Sequence, residues 1–310
     1  MAALSVSCFG KLPFHREFLR LGLRTEAAAW VVRWVEGAHA AWAARGDAPA
    51  ETSLVRFAAA TDGGGLVAGV VRQSSDGLRR HPVTFFVEDA RGAGAGDWHL
   101  LPMALATPWA ELAALGGQQW DGLESLTAAL DAGTSPPDWD AARTARRDAL
   151  AAPLSGPAWE AVTGAGGDAG RHLAANLLAV AEAQRDARSV AEGVSVALPL
   201  PPDPAGGVAR AGFWLELLAL AVGASVHRPA IVLGAAPPRL VAFYRPPEGP
   251  DLAAVLSSLD MAPIDDVAEP WQALPVEGSE RAHAVETIVA PSATGTPGDV
   301  LARIGSVAGA

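Results

Sequence analysis

Two short stretches gather most of the side chains that could do chemistry. The first, Phe9-Gly10-Lys11-Leu12-Pro13-Phe14-His15-Arg16-Glu17-Phe18, places a lysine, a histidine, an arginine and a carboxylate on consecutive turns of chain. The second, Asp76-Gly77-Leu78-Arg79-Arg80-His81-Pro82, has the same character, with Gly and Pro as backbone punctuation around charged groups. A glycine next to a lysine is the chemistry of a phosphate cradle. Two carboxylates brought together, here Glu17 and Asp76, are the raw material of acid–base catalysis.

The phosphate reading fails on spacing, and a pair of acids without a defined pocket is not evidence for acid–base catalysis. A nucleotide-binding P-loop needs a glycine five residues before Gly10, where Ser5 stands, and a Ser or Thr after Lys11, where Leu12 stands. Gly63-Gly64-Gly65-Leu66-Val67-Ala68-Gly69 misses the dinucleotide fingerprint in the same way. There is no Gly-x-Ser-x-Gly elbow and no His-Glu-x-x-His helix. The histidines, His15, His39, His81, His99, His172, His227 and His283, are scattered without ligand spacing. Cys8 sits in an apolar run, where a thiol is normally an inert small apolar group. The expectation is a protein without catalytic residues, metal or cofactor.

Composition narrows the partners. The chain of 310 residues carries 23 basic and 34 acidic side chains, a formal net charge of −11 that repels nucleic acid and anionic lipid at long range. A single cysteine permits no intrachain disulfide and favours a reducing compartment. The N-terminus lacks a signal peptide's basic and apolar regions, and no apolar run is long enough to span a bilayer; Phe213 to Val226, the nearest, contains Glu216. A cytoplasmic protein with no direct membrane insertion is expected.

The elements that must position the two stretches follow from periodicity. A β-prone run, Leu4 to Phe9, leads into the first stretch, which reads as a sharply bent loop: Gly10 where strand gives way to loop, then Pro13, which fixes φ and withholds an N–H. Thr25 to Arg45 is an amphipathic helix with Thr25 as N-cap and Trp30, Val31, Trp34, Val35, Ala38 and Trp42 on one face. Leu54 to Thr61 and Leu66 to Gln73 form a hairpin about Asp62-Gly63-Gly64-Gly65, and Pro82 to Val87 extends it to a three-stranded meander.

Beyond a Gly-rich loop at Arg91 to Asp97 the chain is helical in pieces. These are Leu100 to Leu115, Leu123 to Asp131, Trp139 to Ala151 and His172 to Arg188, with Pro136-Pro137 and Gly164 to Gly170 between them. This middle, about residues 98 to 190, is Ala-rich scaffold. After Pro199 to Pro204, a helix at Ala211 to Val222, strands at Pro229 to Leu233 and Leu240 to Tyr244, and a helix at Asp251 to Leu259 complete one domain over residues 1–260. From Met261 to Ala310 an acidic, Pro-, Ala- and Gly-rich, partly ordered tail is expected, its only apolar clusters being Val285 to Val289 and Val300 to Ile304. The fold class is therefore α/β, a single domain with a largely antiparallel central sheet flanked by helices and assembled from both ends of the chain.

The pair of stretches resembles the TagF (ImpM) family of type VI secretion-associated proteins. That family opens aromatic-Gly-Lys-Leu-Pro, continues Ser-(Arg/His)-Gly-Asp-Phe and reaches a further Gly; here stand Phe9-Gly10-Lys11-Leu12-Pro13, then His15, Glu17-Phe18 and Gly22. Its second signature, Asp-x-x-Gly-Arg-x-(Phe/Tyr)-Pro-Leu-Thr, is approximated by Asp76 to Thr84. Phe14, Arg16 and Glu17 depart from the first pattern, Leu78 and His81 from the second. The resemblance runs over roughly residues 4 to 88, with a weaker match at Phe213-Trp214 and the last two strands.

The resemblance implies a non-enzymatic regulatory adaptor, a post-translational repressor that binds a forkhead-associated (Fha) scaffold protein of the secretion apparatus. The alternative is a structural or assembly component of a secretion-like contractile machine. The two stretches are expected at one end of the sheet, with Glu17 paired to Arg79 or Arg80. Gly10, Lys11, Pro13, His15, Arg16, Glu17, Asp76, Arg79 and Arg80 then either bind the partner or fix the loops as a structural ion-pair network.

Overall fold

Alternation within the strands divides the core into two faces. In β1 (Val6–Leu12) Val6, Cys8 and Leu12 point to one side of the sheet and Phe9 to the other. In β5 (Arg80–Asp89) Val83, Phe85 and Val87 take the first side and Phe86 the second. Each face has to be covered, which makes three layers the economical solution. The computed structural model describes residues 3–45, 54–75, 80–223, 228–235, 237–257, 264–270, 273–290 and 295–308 of the chain.

Among these residues the strands are β1, β2 (His15–Leu21), β3 (Leu54–Ala60), β4 (Leu66–Ser75), β5, β6 (Ser195–Pro199), β7 (Ala230–Ala235), β8 (Pro238–Phe243) and β9 (Asp265–Asp266). They form one sheet in the order β2-β1-β5-β4-β3-β7-β8-β6-β9, antiparallel throughout except for the parallel β6–β9 pair. The N-terminal meander and the C-terminal strands join where β3 pairs with β7, Phe57 facing Val232. A largely antiparallel sheet drawn from both ends of the chain is thus what the sequence leads one to expect.

One face is covered by α1 (Glu26–Arg45) and α9 (Gly249–Ser257), which bury Val31, Trp34, Val35, Trp42, Leu252 and Leu256 against Phe9, Phe57, Phe86 and Phe243. The other face carries α2 (Leu101–Ala104), α3 (Ala106–Gly117), α4 (Leu123–Ala132), α5 (Trp139–Ala151), α6 (Ala158–Thr163), α7 (Gly167–Asp186), α8 (Pro204–Val222), α10 (Glu280–Val289) and α11 (Pro297–Ala308). Tryptophans fasten helices to distant backbone. Trp109 of α3 donates to the Phe57 carbonyl at 3.2 Å, Trp214 of α8 to Pro199 at 2.9 Å, and Trp34 of α1 to Glu248 at 2.9 Å. Each buries a large apolar ring while satisfying its one polar atom. The tryptophan stripe of α1 is therefore core, with Trp34 and Trp42 buried and Trp30 stacked on Trp34.

Capping sets the helix starts. Thr25 Oγ1 accepts from Ala28 N at 3.0 Å, as expected for α1. The start of α8 departs from the sequence reading: Pro199 to Pro204 looks like a breaker, yet Asp203 accepts from Gly206 N and Pro204 occupies the first helical position, so the helix begins seven residues before Ala211. Strand β6 and helix α6 escape the sequence reading because each is short and carries no clear period. The two apolar clusters after Met261 are the buried faces of α10 and α11, with Val285, Ile288, Val300, Leu301 and Ile304 all in the core against α7 and α8.

A carboxylate ties the helical layer to the start of β1. Glu111 of α3 accepts from Thr134 Oγ1, from Ser135 N at 2.7 Å and from Ser135 Oγ at 2.7 Å, while the Thr134 backbone bridges Leu4 in both directions at 2.9 Å. The Thr134 hydroxyl, with smaller help from Ser135 and against the opposing effect of burial, holds the Glu111 carboxyl below the usual range. A depressed carboxyl stabilises the fold above its unfolded pKa, and that contribution disappears as pH falls through the folded value. The melting temperature of Glu111→Gln should therefore lie below wild type at pH 7 and converge on it as pH falls below about 4. A gap that stays constant from pH 7 to pH 3 would remove the ionised carboxylate from the account.

Candidate functional site at the hairpin end of the sheet

The first stretch is a β-hairpin, which corrects the expected strand-to-loop bend. β1 continues through Gly10 to Leu12, Pro13-Phe14 makes the turn, and β2 returns from His15, with Leu12 opposite His15 and Phe9 opposite Arg20. Pro13 is suited to the turn because its φ is preset and no ladder N–H is required there. The register shifts between Gly10 and Leu12, a local irregularity in the strand that curves it.

Gly10 has a positive φ of 132° and lies against β5. A Cβ there would stand 2.6 Å from the Cα of Val83, so no larger residue fits without moving backbone. Gly22 closes the hairpin with φ 74°, and its carbonyl accepts from Ser7 Oγ at 3.1 Å. The glycines that carry the sequence pattern are therefore needed by strand packing.

The β1–β5 register, from Val6 opposite Val87 to Gly10 opposite Val83, runs β1 toward the beginning of β5. Arg80 faces Ser75 at the end of β4. The Pro13-Phe14 turn, Ser75 and Arg80 therefore share one end of the sheet, the arrangement expected of the two stretches. Asp76 and Arg79, with Gly77 and Leu78, lie outside the described residues.

On the α1 side of this end is a column of rings and cations. Phe18 stacks on Phe9 with centroids 5.6 Å apart, Lys11 Nζ lies 5.2 Å from the Phe18 centroid, and the Arg20 guanidinium lies 5.1 Å from that of Phe9. Phe18 meets the His81 ring edge-on at 5.7 Å, and His81 lies 4.7 Å from His39 of α1. Arg20 also pairs with Glu36 of α1 at 2.8 Å. Burial, and then the charge of Lys11, push the His39 imidazole below its ordinary range. The Cys8 thiol, fully buried behind this surface, is pushed up to about 12 by burial and is not a nucleophile at neutral pH.

Arg16 and Glu17 are exposed, and His15 Nδ1 lies 3.0 Å from the Glu17 carbonyl oxygen. Of the two partners expected for Glu17, Arg79 lies outside the described residues, and no ion pair joins Glu17 to Arg80 among them. The reason is geometric: β2 is the outermost strand on this side, β1 separates it from β5, and Glu17 has solvent in front of it. What this end offers is exposed charge, one ring that is 37% exposed at Phe18, and the outer edge of β2, which no other strand among the described residues pairs with.

Phe9, Phe18, Arg20 and His39 belong to the site without having been singled out from the sequence as site residues. The signal lay in the strand period, since Phe9 with Lys11 and Phe18 with Arg20 are two apart and share a face once β1 and β2 are paired. Among the described residues no group of three or more His, Cys, Asp or Glu side chains is placed to hold a metal ion, and no helix is long and apolar enough to cross a membrane.

No family model and no curated protein matches the chain. Among solved structures, the crystal structure of PA0076 from Pseudomonas aeruginosa PAO1 is similar to it, at 25% identity over 43% of this chain and 64% of that one, with a TM-score of 0.33. The likeness takes in less than two thirds of PA0076, and at that TM-score it carries nothing about the fold or function of this chain.

Proposed function

We propose that the chain is a divergent TagF-like protein: a non-enzymatic, cytoplasmic adaptor that represses a type VI secretion system by binding its forkhead-associated scaffold through the hairpin end of the sheet. What supports this reading is that the two stretches bearing the resemblance meet, Gly10 of the first lying against Val83 of the second with no room for a side chain between them. The surface beside that contact mixes Arg16, Glu17, Lys11 and the half-exposed Phe18, a composition suited to a polar-rimmed protein contact.

Titration calorimetry against the forkhead-associated scaffold encoded nearest this chain's own gene tests the reading. Wild type should bind, and Arg16→Glu and Glu17→Ala should each weaken binding by about tenfold, or about 1.4 kcal/mol, with melting curves unchanged, since both side chains are exposed. A folded wild type that does not bind the scaffold sinks the adaptor reading. Binding that both variants retain in full moves the contact away from the hairpin.

A further inference from the structure

On the opposite side of the sheet, between α2, α5, α6 and α8, is a cavity of about 330 Å³. Its walls are apolar: Met103, Leu150, Leu154, Val162 and Phe213. Gly206 and Ala209 of α8 border the space. Ala209 and Asp203 are exposed, so the cavity reaches the surface beside them.

Three charged sites line it, and two are already spent. Arg146 donates to both carboxylate oxygens of Glu216, from Nε at 2.9 Å and from Nη2. Asp203 caps α8. Arg210 differs. Among the described residues its only hydrogen bond runs from Nη2 to the Ala161 carbonyl at a long 3.4 Å, and it forms no ion pair. Burial lowers its pKa, with Asp203 only partly opposing the shift. A guanidinium carries five donors and is costly to desolvate unless an anion meets it.

We propose that this cavity binds a small amphipathic monocarboxylate, its carboxylate forked on Arg210 and its alkyl tail against the apolar walls. Arg and carboxylate match as two parallel N–H···O bonds, and an apolar pocket with one convergent charged group is the usual form of such a site. At about 30 Å³ per molecule-sized unit of liquid, the volume holds roughly ten non-hydrogen atoms, the size of octanoate. This site is independent of the adaptor reading and lies on the other face of the sheet from the hairpin's ring column.

The test is calorimetric titration of the full chain with octanoate and, separately, with 1-octanol, which keeps the tail and removes the charge. Wild type should take up one octanoate per chain and bind octanol about tenfold more weakly or worse. Ala209→Phe, a change at an exposed wall residue, should abolish octanoate binding with an unchanged melting curve, and Arg210→Gln should weaken it by about tenfold. Absence of saturable binding to folded wild type at millimolar octanoate overturns the proposal. So does equal affinity for octanol, or undiminished binding in Ala209→Phe. Should Arg210→Gln fail to fold, the comparison of octanoate with octanol still decides the role of the charge.

Discussion

Gly10→Ala is expected to destabilise the chain by roughly 2–5 kcal/mol, the sum of a residue forced to positive φ and a methyl driven into packed backbone. The methyl would stand 2.6 Å from the Val83 Cα, and the obstacle is main chain, which cannot rotate out of the way. β1 lies between β2 and β5, so pushing it off β5 also loosens the hairpin and the Phe9–Phe18 stack that rests on it. Urea denaturation of wild type and Gly10→Ala measures the loss directly. A cost below about 0.5 kcal/mol would mean that β1 and β5 can separate freely at this point, and the contact between the two stretches would lose its structural meaning. The comparison with Gly63→Ala sharpens the test, since a Cβ at Gly63 meets nothing and the change should be nearly silent.

Asp251→Ala should cost about 3–5 kcal/mol, because it strands a largely buried guanidinium. Asp251 is 1% exposed and accepts from Arg245 Nη1 at 2.7 Å, from Arg245 Nη2 at 2.6 Å and from Glu248 N at 2.7 Å. The Asp251 hydrogen bonds, ahead of the opposing effect of burial, raise the Arg245 pKa. Losing the carboxylate also frees the turn that brings α9 onto α1. There Gly249 sits so close to Gly37 that a Cβ would come within 2.5 Å of its Cα, and the Glu248 carbonyl receives the Trp34 indole. Replacing both partners, Arg245→Met with Asp251→Leu, should cost much less than Asp251→Ala alone, since no charge is left without its partner. A single-variant loss under about 1 kcal/mol in urea denaturation would show that water reaches Arg245 and the pair is not a buried anchor.

The sequence was most legible where one physical signal dominated. The Thr25 cap with the helically spaced tryptophans led to α1 within a residue, and the glycine-rich turn led to the β3–β4 hairpin. The hairpin of β1 and β2 was hidden because Gly10 and Pro13, two strong turn signals, lie close together; one serves a close approach inside a strand and only the other belongs to the turn. Pro204 misled in the same way, since proline ends a helix it follows but starts one it heads. For the candidate site, the residue types of the hairpin were visible along the chain, whereas the ring column was not. His39 and Glu36 reach His81 and Arg20 only because α1 lies across the sheet.

By itself the sequence determined the alternation that buries both faces of the sheet, the amphipathic helix that covers one of them, and a formal net charge of −11. These are local or summed properties, and local physics suffices for them. Only the tertiary structure decided that β3 pairs with β7 and that two clusters in an acidic C-terminal stretch close the helical layer. Each of these joins residues far apart in the chain, where burial of whole faces outweighs any preference a short segment carries.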